Sequence, residues 1–276
     1  MRTIGKIIQY YQTALSAVSE TPRLDIEILL SDILELPRAY LLAYPERELS
    51  EAQLLQLKYY TARRENQEPI AYIIGHKAFW NLDLFVSTAT LIPRVETEHL
   101  VEWCLQNLPK ESLLQIADLG TGSGAIALAL GMARPIWQID ATDKCRAALN
   151  IAEKNRDHNQ ISNVDFYLGK WCEALPHKSY HVIISNPPYI AKSDPHLSDL
   201  LYEPQSALIA EENGLADLKT IISNAKNYLV PDGFLILEHG YDQNPAVTEL
   251  LRAHGYKNIN PARDLAGHWR YVSAQK

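Results

Sequence analysis

The sequence predicts an α/β fold: an open parallel sheet with helices on both faces, preceded by a small helical domain. Three observations carry this. Beyond residue ~96, helical and strand-like hydrophobic periods alternate in short segments. The first ~70 residues repeat their apolar positions only at three and four. Between these regions the spacing switches to alternation around turn residues.

Taken in order, Ile4, Ile7, Ile8, Tyr11 and Leu15 mark one helical face. Leu24, Ile28, Leu29 and Ile33 mark a second, opened by Pro22 at a position where proline suits a helix start. Ser50-Glu51-Ala52-Gln53 has the capping-box form, so a third helix should begin there, with Leu54, Leu57 and Tyr60 on one face. Arg63 and Arg64 near its end read as a solvated complement to the helix dipole. Residues 1–70 therefore form a helical domain. Residues 71–93 read as a β-hairpin linker: Ile70, Tyr72, Ile73 and Ile74 lead into Gly75, followed by Phe79, Trp80, Leu82, Leu84, Phe85 and Val86. Residues 94–276 form the α/β domain, with helices at 96–107, 123–132, 144–156, 214–229 and 244–254. Its strands fall at 113–118, 136–142, 163–167, 180–185 and 233–238, with closing antiparallel strands near 256–260 and 268–274.

Composition bounds the function classes. The 276 residues are 47% hydrophobic and 21% charged, with 12 Gly and 15 Pro, which excludes a disordered, collagenous or repeat-built chain. A net charge of −7 counts against bulk nucleic-acid binding by phosphate neutralisation, without excluding a local basic patch. Cys104, Cys145 and Cys172 have neither zinc-ligand nor disulfide-framework spacing and read as reduced thiols. The N-terminus lacks the apolar run of a signal peptide, and no stretch reaches the ~18 apolar residues of a membrane span. A cytoplasmic protein without membrane association is expected.

Strand 113–118 ends at Asp118 and runs into Leu119-Gly120-Thr121-Gly122-Ser123-Gly124, ahead of the helical Ala125–Leu130. Three glycines at a strand-to-helix turn let a ligand approach the backbone at a helix N-terminus. A dinucleotide site would carry its third glycine at 125, where Ala stands. Asp118 would repel a pyrophosphate but suits a cationic ligand, which favours S-adenosyl-L-methionine. Asp143, at the end of the next strand, is placed to accept two ribose hydroxyls. Bland roles compete: Asp118 as a loop brace, and Asp143 as an N-cap.

Strand 180–185 ends in Asn186-Pro187-Pro188-Tyr189. Because ligands bind outside the carboxyl ends of parallel strands, this turn should face the same mouth as the glycine loop. Two prolines stiffen it, leaving the Asn186 side-chain oxygen and the Pro187 carbonyl as fixed acceptors beside the Tyr189 ring. That set suits a planar conjugated –NH2, whose delocalised lone pair gains nucleophilicity when both N–H groups are accepted. On this reading Asn186→Asp, which keeps an acceptor, should be milder than Asn186→Ala. A simple tight turn is the bland alternative.

Asp118–Gly124, Asn186–Tyr189, Phe79-Trp80 and Leu91-Ile-Pro-Arg-Val-Glu-Thr-Glu98, with Tyr202-Glu203-Pro204 and Glu238-His239-Gly240, together resemble the release factor glutamine methyltransferases, the HemK or PrmC family. The resemblance covers nearly the whole chain. It implies a Rossmann-like class I S-adenosylmethionine-dependent methyltransferase sheet behind an N-terminal domain that docks the release factor. It also implies methylation of the glutamine N5 in the Gly-Gly-Gln loop of bacterial class I peptide release factors, leaving S-adenosyl-L-homocysteine. Residue by residue, Gly120, Thr121, Gly122, Ser123 and Gly124 would wrap the methionine part, with Asp118 and Asn186 alongside. Asp143 would take the ribose and Trp171 the adenine. Asn186, Pro187, Pro188 and Tyr189 would hold the glutamine amide, with Asn186, Pro187 and Tyr189 catalytic. No metal is expected, nor a nucleic-acid partner, and the chain is expected to act as a monomer. Val95 stands where the family usually has proline, and Lys170 where it commonly has Asp. Two rival readings are a nucleic-acid amino-methyltransferase, which would need a base-flipping groove, and a non-catalytic nucleotide-binding regulator.

Overall fold

The computed structural model describes residues 2–176 and 179–276. The chain divides into two compact units, Met1–His76 and Lys77–Lys276.

The first unit is helical: α1 (Ile4–Leu15), α2 (Pro22–Leu34), α3 (Arg38–Ala43), α4 (Glu51–Glu65) and α5 (Ile70–Ile74). Its core gathers Ile4, Leu15, Ile26, Leu29, Leu30 and Leu57, all fully buried. Pro22 opens α2, and the capping box forms as expected: Gln53 N donates to Ser50 Oγ at 3.2 Å, and Ser50 N to Gln53 Oε1 at 2.9 Å. Three expectations need correction. Residues 70–74 are helical, not strand: Pro69 precedes the turn, Gly75 ends it at φ +83, and Tyr72 and Ile73 are buried side by side. The hairpin is confined to β1 (His76–Phe79) and β2 (Leu82–Phe85), shorter than 71–93. Nor are the two arginines solvated. Arg63 pairs with Glu68 and donates to the carbonyls of Tyr72 and Ile73, while Arg64 Nε meets Asp25 Oδ2 at 2.7 Å, so the pair ties α4 to α2 and α5.

The second unit continues with α6 (Glu98–Asn107), β3 (Gln115–Leu119), α7 (Ala125–Ala133), β4 (Gln138–Asp143), α8 (Arg146–His158), β5 (Val164–Leu168) and β6 (Tyr180–Ser185). Short helices α9 (Gln205–Leu208) and α10 (Glu211–Gly214) lead to α11 (Ala216–Ala225), β7 (Leu229–Glu238), α12 (Asn244–Ala253), β8 (Lys257–Arg263) and β9 (Trp269–Gln275). The seven strands are ordered β5-β4-β3-β6-β7-β9-β8. The first five are parallel, and β9 is antiparallel to both its neighbours. One buried cluster, including Leu100, Ile116, Leu128, Trp137 and Ile184, covers one face, and another, including Leu119, Ile183, Ile222, Leu235 and Val247, covers the other. Burial on both faces explains why the central strands read as continuous apolar runs.

The strand order reverses between β3 and β6, and such a switch point opens a crevice at the carboxyl ends. Leu119 and Ser185 stand in register there, joined by Ser185 Oγ donating to the Leu119 carbonyl at 2.7 Å. The glycine loop and Asn186 therefore leave the sheet at the same level, one strand apart.

Candidate active site

The turn after β3 packs against the end of β4. Gly120 N and Thr121 N both donate to the Thr142 carbonyl, at 2.8 and 2.9 Å. Gly120 sits at φ +73, where a Cβ would stand 2.8 Å from the Trp171 ring, so glycine is what lets the indole lie on the loop. Gly122, at φ +59, has only open space where a Cβ would be. Both line a cleft of about 910 Å³ with Thr121, Ser123, Asp143, Lys170, Trp171 and Asn186.

Asp143 is not the N-cap of α8, since that position is Cys145. Its Oδ2 accepts from Gly122 N at 2.9 Å and its Oδ1 from Cys145 N at 2.8 Å. A carboxylate has about four lone-pair sites, so both oxygens keep room for hydroxyl donors from the cleft. Trp171 is buried at φ +50, with its Nε1 donating to Asp217 Oδ1 at 3.2 Å. Lys170 Nζ stands 3.8 Å from the same carboxylate.

Asp118 does not line the cleft. It is 1% exposed, and its Oδ2 accepts from Thr121 Oγ at 2.6 Å and from Ala127 N at 3.3 Å, so the loop-brace reading describes its contacts. Its Oδ1 has no hydrogen-bond partner among the described residues. Burial pushes this carboxyl up to about 7, against the lowering effect of the Thr121 and Ala127 hydrogen bonds. Gly124 is likewise structural: at φ +85 it caps α7 and packs on Leu128.

The tetrapeptide after β6 separates two cavities. Pro188 lines the first, Pro187 and Tyr189 line a second of about 870 Å³, and Asn186 lines both. Behind Asn186 runs a chain of hydrogen bonds that sequence reasoning missed. Asn186 Nδ2 donates to Thr97 Oγ at 3.0 Å, and Thr97 Oγ donates to Glu238 Oε2 at 2.8 Å. Tyr189 OH donates to Glu238 Oε1 at 3.1 Å. Glu238 is 1% exposed at the end of β7, with Arg270 on the second cavity's wall. Burial pushes Glu238 up to about 7, while Thr97, Tyr189 and Arg270 pull it down. Burial also raises the Tyr189 phenol, so it stays protonated and donates. Arg94 lines both cavities and pairs with Glu203, which is 5% exposed and also accepts from Ile92 N at 3.1 Å. That pair fixes the Leu91–Arg94 segment beside the site. Thr97, Glu203 and Glu238 were visible in sequence only as part of the resemblance. Their contacts span 49 to 141 residues, beyond the reach of any local pattern.

The cleft suits S-adenosyl-L-methionine: a glycine-floored entrance at a helix N-terminus, a carboxylate at the end of the next strand, and an indole wall.

Sequence comparison fits this geometry. Residues 6–75 match the PrmC N-terminal domain and residues 99–211 the methyltransferase small domain. A Coxiella burnetii protein named release factor glutamine methyltransferase is 52% identical over the full length of both chains. The chain belongs to the release factor glutamine methyltransferase family. Relatives of the same name from Salmonella typhimurium and Escherichia coli are 47% and 44% identical over 91% of each chain. More distant likenesses support the fold alone. A Pyrococcus furiosus methyltransferase shares a TM-score of 0.55 at 18% identity, covering 82% of this chain and 99% of its own. The hMettl16 catalytic domain, solved with an RNA hairpin, gives 0.60 at 19%, covering 91% of each. Among the described residues, no helix is long and apolar enough to cross a membrane.

Proposed function

We propose that this enzyme transfers the methyl group of S-adenosyl-L-methionine to the side-chain amide nitrogen of the glutamine in the Gly-Gly-Gln loop of bacterial class I peptide release factors, supporting translation termination. The observation that carries this reading is Asn186, which lines both cavities and spends its Nδ2 on Thr97. Its Oδ1 is left on the opposite side as a hydrogen-bond acceptor.

When bound, S-adenosyl-L-methionine supplies an electrophilic methyl on a sulfonium. Gly120, Thr121, Gly122 and Ser123 form the floor for its methionine part, Asp143 accepts the ribose hydroxyls, and the Trp171 ring flanks the adenine. In the second cavity, Asn186 Oδ1 and the Pro187 carbonyl take the two N–H hydrogens of the glutamine amide, and Tyr189 offers its ring to the amide plane. Drawing on both hydrogens returns electron density to nitrogen, and holding that nitrogen at the wall shared by the two cavities supplies alignment. Transfer would form the N–C bond as the S–C bond of the donor breaks, with the amide nitrogen releasing one proton to solvent.

The helical unit suits release-factor docking, since it exposes Tyr10, Leu55 and Tyr59 despite its buried core. The test is incubation with labelled S-adenosyl-L-methionine and a purified release factor, followed by peptide mapping. Label should appear on the Gly-Gly-Gln glutamine and vanish when that glutamine is replaced by alanine. Label on another residue, or on RNA added in competition, would overturn the reading.

A further inference from the structure

The Asn186 side chain is nearly symmetric in shape, so sterics do not decide which end of its amide faces the substrate. Hydrogen bonding decides it. Only the oxygen can accept an N–H; the Nδ2 end would oppose an –NH2 with another –NH2. The groups behind Asn186 fix the choice. Glu238, when ionised, only accepts, and its Oε2 lies 2.8 Å from Thr97 Oγ. The single hydroxyl hydrogen of Thr97 is therefore committed to Glu238. The Thr97 oxygen then has only lone pairs to offer Asn186, 3.0 Å away, and must meet its Nδ2. Thr97 and Glu238 are 5% and 1% exposed and Asn186 is half-buried, and such burial strengthens these bonds.

We propose that Glu238, acting through the Thr97 hydroxyl, is the positioning residue that orients the Asn186 amide and thereby restricts the site to a substrate group that donates N–H. This rests on the methyl-transfer reading above and adds the element that enforces it. Glu238, 1% exposed in the wall of the second cavity, acts here through its bond to Thr97. Its role is to select between the amide of the target glutamine and the carboxylate of the corresponding glutamate, which has no N–H to give.

The arrangement carries its own pH signature. Several groups face Glu238: Thr97 and Glu96 from the segment before α6, Tyr189 after β6, and Arg270 with Tyr271 on β9. Arg270 and the two hydroxyls favour its ionised form, whereas burial and Glu96 oppose it, and the balance leaves it near 7. Once protonated, Glu238 can donate to Thr97. The Thr97 hydrogen is then free to turn towards Asn186 Oδ1, and the reversed amide is no longer penalised. Methyl transfer should accordingly fall as pH drops through this range.

Single-turnover rates at saturating S-adenosyl-L-methionine and release factor, measured from pH 6 to 9, test this with Thr97→Val, Thr97→Ser and Glu238→Gln. Thr97→Val keeps the shape but not the relay; its rate should fall about tenfold, the effect of one preorganised hydrogen bond, and its acid limb should flatten. Thr97→Ser restores the hydroxyl and should recover both. Glu238→Gln, whose amide does not titrate in this range, should show no acid limb. An independent readout is the affinity of the S-adenosyl-L-homocysteine-loaded enzyme for the release factor against its Gln→Glu form. The wild type should prefer the glutamine form, and Thr97→Val should lose most of that preference. A Thr97→Val enzyme with the wild-type rate, acid limb and preference would overturn the proposal. Should Thr97→Val not fold, an acid limb persisting in Glu238→Gln would do the same. Failure of the wild type to label any release factor would instead overturn the functional reading, and this proposal with it.

Discussion

At Asn186, what lies behind the side chain changes the expected ranking of two substitutions. Considered by acceptor count alone, Asn186→Asp is milder than Asn186→Ala. The structure reverses this: Asp would lose the donation to Thr97 and set a second carboxylate against a hydroxyl already committed to Glu238. Asn186→Asp should be at least as slow as Asn186→Ala in single turnover, and an Asp variant clearly faster than Ala would contradict the polarity of the relay. Asp143 offers a second residue-level test. Each of its oxygens holds a backbone N–H and has capacity left for a hydroxyl, so Asp143→Ala should weaken S-adenosyl-L-methionine binding by about 2–3 kcal/mol. Because the glycine loop also loses its brace, Asp143→Ala should melt earlier than Asp143→Asn; unchanged calorimetric affinity would remove the ribose assignment. Local signals located Asp143 and Asn186 on the cleft, since strand ends and glycine turns are written in neighbouring residues, whereas Trp171 was reached only through the resemblance. Asp118 was placed in the right turn but aimed at the ligand, because nothing local distinguishes a carboxylate facing a cleft from one turned under a loop.

Among the elements, α4 shows how a helix end can be misread. Its last turn carries Arg63 and Arg64, and basic residues there ordinarily sit in solvent against the helix dipole. In this bundle Arg64 is half-buried against Asp25 of α2, itself 6% exposed. Removing one partner of such a pair strands the other charge, so Arg64→Ala should cost the helical unit about 3 kcal/mol, read by urea denaturation. A loss below ~1 kcal/mol would show that Asp25 is adequately solvated without it. The same bundle contains α5, where Ile70, Tyr72 and Ile74 mimic strand alternation in a segment too short for a helical period to declare itself. Pro69 and Gly75 at its borders were the better guide. By contrast β6 spans Tyr180–Ser185 as expected, because a buried parallel strand reads as one apolar run ended by prolines.

Across the whole molecule, the α/β alternation made the sheet legible while the contacts joining Thr97, Asn186 and Glu238 were not, since they arise only when three separate connections meet at one end of that sheet. The resulting site holds two buried carboxyls near 7, Asp118 and Glu238. Both folded-state values are raised, so the folded chain binds more protons than the unfolded one between about pH 4 and 7. Their contribution to stability is full in acid and is lost as pH rises through 7. His239 works the other way: burial lowers its pKa, and its contribution is lost on acidification below its ordinary value. The comparison must therefore be between variants. The melting temperature of Glu238→Gln relative to wild type should rise from pH 6 to pH 8, whereas a constant difference would show that Glu238 does not titrate in this range. Stability and catalysis thus pull this residue in opposite directions. The most direct test of the central claim, that Asn186 holds a glutamine amide for methylation, is the single-turnover rate of methyl transfer to the Gly-Gly-Gln glutamine of a release factor by Asn186→Ala. The expected result is a rate about 10²–10³ below wild type with S-adenosyl-L-methionine affinity nearly unchanged. A wild-type rate in Asn186→Ala would contradict it.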